Sequence, residues 1–64
     1  MTDYTTWGDL GYDQGFLDGY DGSEYDAYGS QVPEEYDATY RVSYSEGYLE
    51  GQDAYRRAME GLVP

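Results

Sequence analysis

Cysteine, histidine and lysine are all absent from this chain of 64 residues. Without cysteine there are no disulfides or thiolate metal ligands, and without histidine the commonest general base is missing. The absence of lysine removes Schiff-base chemistry and the phosphate-binding lysine of P-loops. Carboxylates remain, but acid–base catalysis by paired carboxylates needs an apolar cleft, and so short a chain encloses little of one. The sequence therefore predicts a protein that is not an enzyme and holds no cofactor.

Positive charge is also scarce. Fourteen acidic residues face three arginines, which gives a formal net charge of −11. Because affinity for phosphate groups comes from cationic side chains, we expect no direct binding to DNA, RNA or an anionic membrane surface. No window approaches the roughly twenty apolar residues of a membrane span, and the first residues lack the basic and apolar regions of a signal peptide. We expect a cytoplasmic protein whose partner is a basic protein surface.

A calcium loop is the first alternative, because aspartate and glycine alternate closely between Asp9 and Gly22. An EF-hand loop needs acidic residues at its first and third positions and glycine at its sixth. Counting back from Gly19 places Gln14 and Phe16 at the two acidic positions, and the other glycines fail in the same way. The spacing predicts no metal site.

Aliphatic side chains are few: four leucines, three valines and no isoleucine, beside ten tyrosines. A single core in a chain of this size is only marginally stabilising. Binding to a partner, or formation of a homodimer, would add the missing burial. We therefore expect that the chain is stabilised by association.

A short motif occurs twice. Gly15-Phe-Leu-Asp-Gly19 returns as Gly47-Tyr-Leu-Glu-Gly51, 32 positions later, and further identities flank both copies. Such clustering at one fixed offset indicates an internal duplication. The sequence predicts a single small helical domain over residues 1–64, made of two repeats, 1–32 and 33–64.

Each repeat has a helical period, because glycine and tyrosine recur at steps of three and four residues. Pro33 followed by two glutamates is typical of a helix start, and Gly61 of a helix end. The prediction is an all-α fold, a helical hairpin of two repeat-related helices at about 4–28 and 34–60, connected near 29–33 and possibly oligomeric. In the alternative, the first helix stops at Asp21 because Gly22 and Ser23 follow it.

Glycine inside a helix costs about 1 kcal/mol relative to alanine, so its regular use here needs compensation. A strip without side chains lets two helix backbones approach closely, while neighbouring tyrosines pack over the strip. This Gly/Tyr-rich seam is predicted to hold the two helices together. The predicted packing residues are Gly11, Gly15, Gly19, Gly47 and Gly51.

The carboxylates are predicted on the faces opposite this seam, at 100° per residue. Glu46, Glu50 and Asp53 would lie about 4.5–6 Å apart along the helix axis, on the scale of the ~3.4 Å rise between phosphates of one DNA strand. An ordinary solvated helix face would mix lysine with glutamate, whereas this face has glutamate and aspartate but no lysine. Tyrosine is also favoured at interfaces. The predicted partner-binding residues are Asp18, Asp21, Glu35, Glu46, Glu50, Asp53 and Glu60, with Tyr20, Tyr25 and Tyr28.

Two families show a resemblance. The glycine-every-fourth-residue pattern in Gly11–Gly19 and Gly47–Gly51 resembles the helices of deca-GX3 repeat adaptor proteins, which implies protein–protein contact. The whole chain is similar to the small acidic proteins that bacteriophages encode against host enzymes, in its length, its lack of lysine and its many Asp, Glu and Tyr residues. Several of those are DNA mimics of the anti-CRISPR or anti-restriction type. The resemblance implies an inhibitor that blocks a basic nucleic-acid-binding groove in the host bacterial cytoplasm; the alternative is a small structural or adaptor oligomer with an acidic solubilising surface.

Overall fold

The computed structural model describes residues 4–27 and 32–62, with side chains from residue 6 onward. Helix α1 spans Tyr4–Asp21, a short 3₁₀ helix spans Glu34–Tyr36, and helix α2 spans Asp37–Leu62. The two long helices pack against each other, and no strand occurs within the described ranges. The predicted all-α fold of two helices that pack against each other is confirmed. Tyr28 and most of the predicted connection at 29–33 lie outside the described residues.

The first helix ends at Asp21, not near residue 28. Gly22 has a φ of 76°, in the left-handed region that glycine adopts without strain. The amide of Ser23 donates to the carbonyl of Asp18 at 2.9 Å, and the amide of Gly22 donates to that of Gly19 at 3.4 Å. These two hydrogen bonds form a Schellman C-cap, which ends the helix. The shorter of the two sequence-based alternatives is therefore the right one.

The two helices run in the same direction. Along α1, a β-carbon at Gly11 would lie beside Tyr40, one at Gly15 beside Tyr44, and one at Gly19 beside Tyr48. Positions on both helices therefore advance together. Parallel neighbours need a connection that returns along their length, and the segment after α1 does so: Ser23 lies at Tyr48, whereas Asp26 lies further back at Tyr44.

Close backbone contact holds the pair together. An ideal β-carbon built on Gly15 would lie 2.1 Å from the carbonyl oxygen of Tyr44, and one on Gly47 would lie 2.2 Å from that of Tyr12. Real β-carbons do not approach backbone atoms so closely, so only glycine permits this spacing. The structure places all five glycines of the predicted seam at this contact: Gly11, Gly15, Gly19, Gly47 and Gly51.

The contacts of the two repeats are reciprocal. Gly15 meets Tyr44 and Tyr48, and its equivalent Gly47 meets the equivalents of those tyrosines, Tyr12 and Phe16. A twofold rotation about an axis between the parallel helices exchanges the two sets. That rotation relates Tyr44 and Tyr48 to Tyr12 and Phe16, so a row of aromatic side chains lies on each of two opposite faces of the helix pair, and a third ring extends each row. We call the row of α2, Tyr40–Tyr44–Tyr48, the covered ladder, and the row of α1, Tyr12–Phe16–Tyr20, the open ladder.

The small core lies on the covered side. Tyr44 is fully buried, and Tyr40 and Ala27 are nearly so. The rings of the covered ladder are offset-stacked, with centroids 6.1 and 6.0 Å apart. Trp7, Val32 and Tyr48 pack around this cluster. The tyrosines thus take the place of the missing aliphatic core, but on one face only.

Candidate protein-binding surface

A shallow groove runs along the open face of the helix pair. Tyr12 from α1 forms one wall, and Glu46, Leu49, Glu50 and Asp53 from α2 form the other. The aromatic floor continues from Tyr12 as the open ladder, whose successive ring centroids are 6.4 Å apart. At its far end the ring of Tyr55 meets Tyr20 edge-on at 5.8 Å. We call this surface the open groove.

Large apolar side chains of the open groove reach solvent. Tyr12 is 37% exposed, Tyr20 41% and Leu49 66%. Rings are stiff and amphipathic, and such side chains are enriched at protein interfaces. The covered ladder differs, because its middle tyrosine has no exposure at all. The open groove therefore presents exposed aromatic side chains next to exposed carboxylates.

The predicted acidic face is only partly assembled. Glu46 and Glu50 are exposed on the rim of the open groove, as the sequence pattern placed them. Asp53 lies beside them but forms ion pairs with Arg57, at 2.7 Å, and with Arg56. Because both arginines are more than 70% exposed, these pairs are weak and screened. They still reduce the negative field at Asp53, so Glu46 and Glu50 dominate the rim.

The sequence pattern predicted that Asp18 faces away from the helix contact, and this prediction is wrong. It accepts hydrogen bonds from the Tyr44 hydroxyl and, at 3.0 Å, from the side-chain amide of Gln14. The helical period describes each helix alone and could not show that a tyrosine of α2 crosses to α1. Asp18 therefore supports the covered ladder, and it is not a free carboxylate of a continuous acidic face.

The other predicted carboxylates lie apart from the open groove. Asp21 is the exposed last residue of α1. Glu35 lies in the 3₁₀ helix before α2, where the rotation per residue is larger than 100°. Glu60 follows Asp53 by two turns, about 10 Å along the axis. The structure thus brings Glu46, Glu50 and Asp53 together and leaves the rest dispersed.

The predicted tyrosine contacts separate in the same way. Tyr20 belongs to the open ladder. Tyr25 packs edge-on against Tyr44 and Tyr48, with centroids 5.3 and 5.2 Å away, and its hydroxyl is hydrogen-bonded to Ser45. Tyr25 is therefore part of the cover, although half of it reaches solvent. Tyr28 lies outside the described residues.

Sequence reasoning missed four residues of the open groove: Tyr12, Phe16, Leu49 and Tyr55. Tyr12 and Phe16 follow glycines at helical spacing, so the sequence pattern groups them with the Gly/Tyr-rich seam. The signal that could have found them is the repeat itself. Two equivalent ladders cannot both be covered by one connecting segment.

The hydroxyl groups of Tyr40 and Tyr44 in the covered ladder are held in the protonated form, because the pKa of each is raised. Burial, followed by the hydrogen bond to Asp18, raises the pKa of Tyr44 to about 12. Burial also raises the pKa of Tyr40, with smaller contributions from the negative charges of Asp18 and Asp26. A protonated Tyr44 can donate to Asp18 while accepting from the amide of Asp26 at 3.1 Å. This hydroxyl therefore joins both helices to the covering segment.

The three arginines leave no basic patch. Arg41 pairs with Asp37 at 3.1 Å on the first turns of α2, and the other two pair with Asp53. Each positive charge is thus adjacent to a carboxylate of its own helix. Among the described residues, no three acidic side chains are grouped so that they could hold a metal ion. Neither α1 nor α2 is apolar enough over its described length to cross a membrane.

A comparison with protein-family models, with curated proteins and with solved structures finds no match to this chain. The function is therefore inferred from the geometry and charge of the open groove.

Proposed function

We propose that this protein is an acidic inhibitor that mimics nucleic acid and blocks the basic nucleic-acid-binding groove of a host enzyme, such as a CRISPR effector or a restriction enzyme, in the bacterial cytoplasm. The observation that carries the proposal is the net charge of −11 on a body in which each arginine is already paired. A field of that size accelerates association with a basic surface and opposes association with an acidic one.

The shape of the molecule supports this proposal. Its extents are 47 × 20 × 14 Å, and its radius of gyration of 13.1 Å exceeds the roughly 10.7 Å of a compact chain of this length. A narrow acidic rod can enter a groove built for a polynucleotide. Along the rod, Glu46 and Glu50 are one helical turn apart, about 6 Å, which is within twice the ~3.4 Å rise between phosphates.

Enzyme inhibition tests the proposal directly. Cleavage of a labelled duplex by a guide-loaded CRISPR nuclease and by a restriction endonuclease would be measured with increasing amounts of the chain, over a salt series. We expect inhibition that excess duplex relieves and that weakens with salt, because the Debye length falls from about 10 Å at 0.1 M to about 3 Å at 1 M.

A matched pair of variants distinguishes the contribution of the groove rim to inhibition from that of the total net charge. Glu46→Gln with Glu50→Gln should weaken inhibition, whereas Glu24→Gln with Glu34→Gln removes the same charge from exposed sites elsewhere and should have less effect. Equal inhibition by the rim variant and the parent chain at low salt would show that the carboxylates only keep the protein soluble.

A structural or adaptor oligomer is the second candidate, and the exposed side chains of the open groove favour it. Leu49, Tyr12 and Tyr20 form an apolar strip that a second copy would bury. Sedimentation of the chain at rising concentration and salt decides between the two. A stable dimer at about 0.15 M salt supports the oligomer, and a monomer at all concentrations supports the inhibitor.

A further inference from the structure

We propose that the open groove binds an extended, arginine-bearing segment of the partner protein, in the way that the chain's own segment 22–27 binds the covered ladder. This inference rests on the proposed function and specifies which face of the molecule meets the partner and which backbone conformation the partner adopts there.

The covered face shows how such a segment binds. Tyr25 places its ring edge-on against two rings of the ladder, at 5.3 and 5.2 Å. The backbone of the segment is held at both ends: Tyr48 donates its hydroxyl to the carbonyl of Ser23 at 2.6 Å, and the amide of Asp26 donates to Tyr44. Because the twofold relation makes Tyr12 and Phe16 equivalent to Tyr44 and Tyr48, an extended segment fits over these two rings with the same spacing.

The open ladder keeps one of the two backbone partners. Tyr12 is the equivalent of Tyr44, so its hydroxyl can bond a backbone amide or carbonyl of the docked segment. Phe16 replaces Tyr48 and has no hydroxyl. Tyr12 to Tyr20 rises about 12 Å along α1, which about four extended residues span. The docked segment should run opposite to α1, as segment 22–27 runs opposite to α2.

Charge specifies what the segment carries. On the covered face, the positions beside the ladder are Gln14, Asp18 and Asp21; on the open face their equivalents are Glu46, Glu50 and Asp53. The open groove therefore has one more carboxylate, and Glu50 is exposed where its equivalent Asp18 is half-buried. An arginine can lie flat on an aromatic ring while its guanidinium bonds a neighbouring carboxylate.

Within residues 4–27 and 32–62, no segment covers the open ladder. Residues 54–59 are the repeat equivalents of the covering segment, but they continue α2 because Ala54 stands where the first repeat has Gly22. A second copy is a poor occupant, since two open grooves facing each other would bring Glu46 and Glu50 of both copies together on chains that each carry a net charge of −11.

The experiment is a titration of the isotopically labelled protein with a synthetic peptide of about eight residues, followed by NMR. The peptide alternates arginine with serine, glycine and one tyrosine. Two controls have the same length: one carries citrulline in place of arginine, and one carries the same arginines in an alanine-rich, helix-forming sequence. We expect the extended arginine peptide to bind best and to shift amide signals of residues 12–20 and 46–53.

Variants locate the site. Tyr20→Ala should weaken peptide binding roughly twofold to fivefold, which is the usual contribution of one exposed cation–π contact. The isosteric Glu50→Gln should weaken it without altering the groove's shape. Val42→Ala and Glu24→Gln, on the other side of the molecule, should leave the affinity unchanged. A spin label at the amino end of the peptide should broaden signals near Tyr20, and one at the carboxyl end those near Tyr12.

The outcomes separate this inference from the proposed function. Equal affinity of the Tyr20→Ala and parent proteins, or shifts outside the open groove, overturns the inference while basic partners are still bound. Equal binding of the helical peptide overturns the extended conformation. Self-association that buries the open ladder overturns the choice of occupant. If neither the arginine peptide nor the basic enzymes bind at low salt, the proposed function fails as well.

Discussion

Tyr12 and Phe16 of the open ladder are the repeat equivalents of Tyr44 and Tyr48 of the covered ladder, yet the covered ladder forms the core of the molecule and the open ladder reaches solvent. Both ladders lie beside a bare glycine strip, and both have an acidic residue nearby: Asp18 accepts a hydrogen bond from the Tyr44 hydroxyl, and Glu50 lines the same groove as Tyr12. The difference arises at the end of each helix, where Gly22 turns the chain back over the covered ladder and Ala54 continues α2. The two repeats therefore diverge at this position, where one ladder becomes covered and the other stays exposed.

The largest effect should come from the feature that both ladders share, the glycine contact. Gly15→Ala places a β-carbon 2.1 Å from a backbone oxygen of α2, and Gly47→Ala repeats the clash from the other side. Overpacking costs about 1–3 kcal/mol or more, a large part of the roughly 3–10 kcal/mol expected for a chain of this size. We expect circular dichroism to show loss of cooperative unfolding for both variants.

Gly61→Ala is the control for the glycine contact, because nothing lies within 4 Å of that position. It should leave the melting temperature unchanged or raise it, since alanine is the better helix former. A Gly15→Ala variant as stable as Gly61→Ala would contradict the close approach of the two backbones.

The ladder hydroxyl groups provide the next test. Tyr44→Phe removes the donor to Asp18 and the acceptor of the Asp26 amide, so two part-buried hydrogen bonds at the fully buried Tyr44 are lost. We expect a loss of about 1–3 kcal/mol in the free energy of unfolding by urea. The equivalent change on the open face, Tyr12→Phe, should stay within about 0.5 kcal/mol, as surface substitutions usually do. Equal losses would mean that the two faces do not differ in burial.

Alkaline pH should destabilise the covered face. Burial and the hydrogen bond to Asp18 raise the pKa of Tyr44 to about 12 in the folded state, above the ordinary value of 10.0 for tyrosine. A raised pKa stabilises the fold fully below pH 10, and that contribution is lost as the pH rises from about 10 to 12, by at most about 1.4 kcal/mol per pH unit for one proton.

Burial raises the pKa of Tyr40 as well. The urea unfolding midpoint of the parent protein should therefore fall as the pH rises from about 10 to 12. The curves of Tyr44→Phe should move less. A stability that rises between pH 10 and 12 would contradict the protonated hydroxyl at the centre of the covered ladder.

The smallest effect is expected at the residue that creates the asymmetry. Gly22→Ala forces a side chain into the left-handed region at a φ of 76°, which costs about 1–2 kcal/mol. Because nothing lies near its β-carbon position, the loss comes from the backbone and not from a clash. The variant should melt a few degrees lower and lose protection of the Ser23 amide from hydrogen exchange. Unchanged exchange at Ser23 would argue against a C-cap that depends on glycine.

The sequence predicted the helices and their packing residues well because both depend on local spacing. Glycines and tyrosines at steps of three and four define a helix face wherever the helix lies. The direction of the helices was not predictable in this way, since it depends on how far a connection of irregular backbone reaches. The residue at which α1 ends could not be predicted for a related reason. The repeat favours continuation of the helix to residue 28, whereas Gly22 followed by Ser23 favours an end at Asp21.

The candidate site was predicted only where each helix could be treated alone. Glu46 and Glu50 lie on an exposed face of α2, as the 100° rotation implied. Asp18 followed the same rule and was misplaced, because Tyr44 of the other helix reaches it. Local spacing groups Tyr12 with the Gly/Tyr-rich seam. It could not show that Tyr12 is exposed, because no rule of local spacing states which face the connecting segment covers.

The parallel arrangement of the helices also determines when the chain can fold. Partners such as Gly11 with Tyr40, or Gly15 with Tyr48, are separated by about thirty residues, and adjacent antiparallel helices would have offered shorter closures near their turn. Folding slows as contacts become less local, so this small helical protein should fold more slowly than helical bundles of its size. During synthesis, the glycine-rich α1 has nothing to pack against until α2 has left the ribosome. We therefore expect α1 to become stable only when α2 is available to pack against it, so that the fold forms late in synthesis.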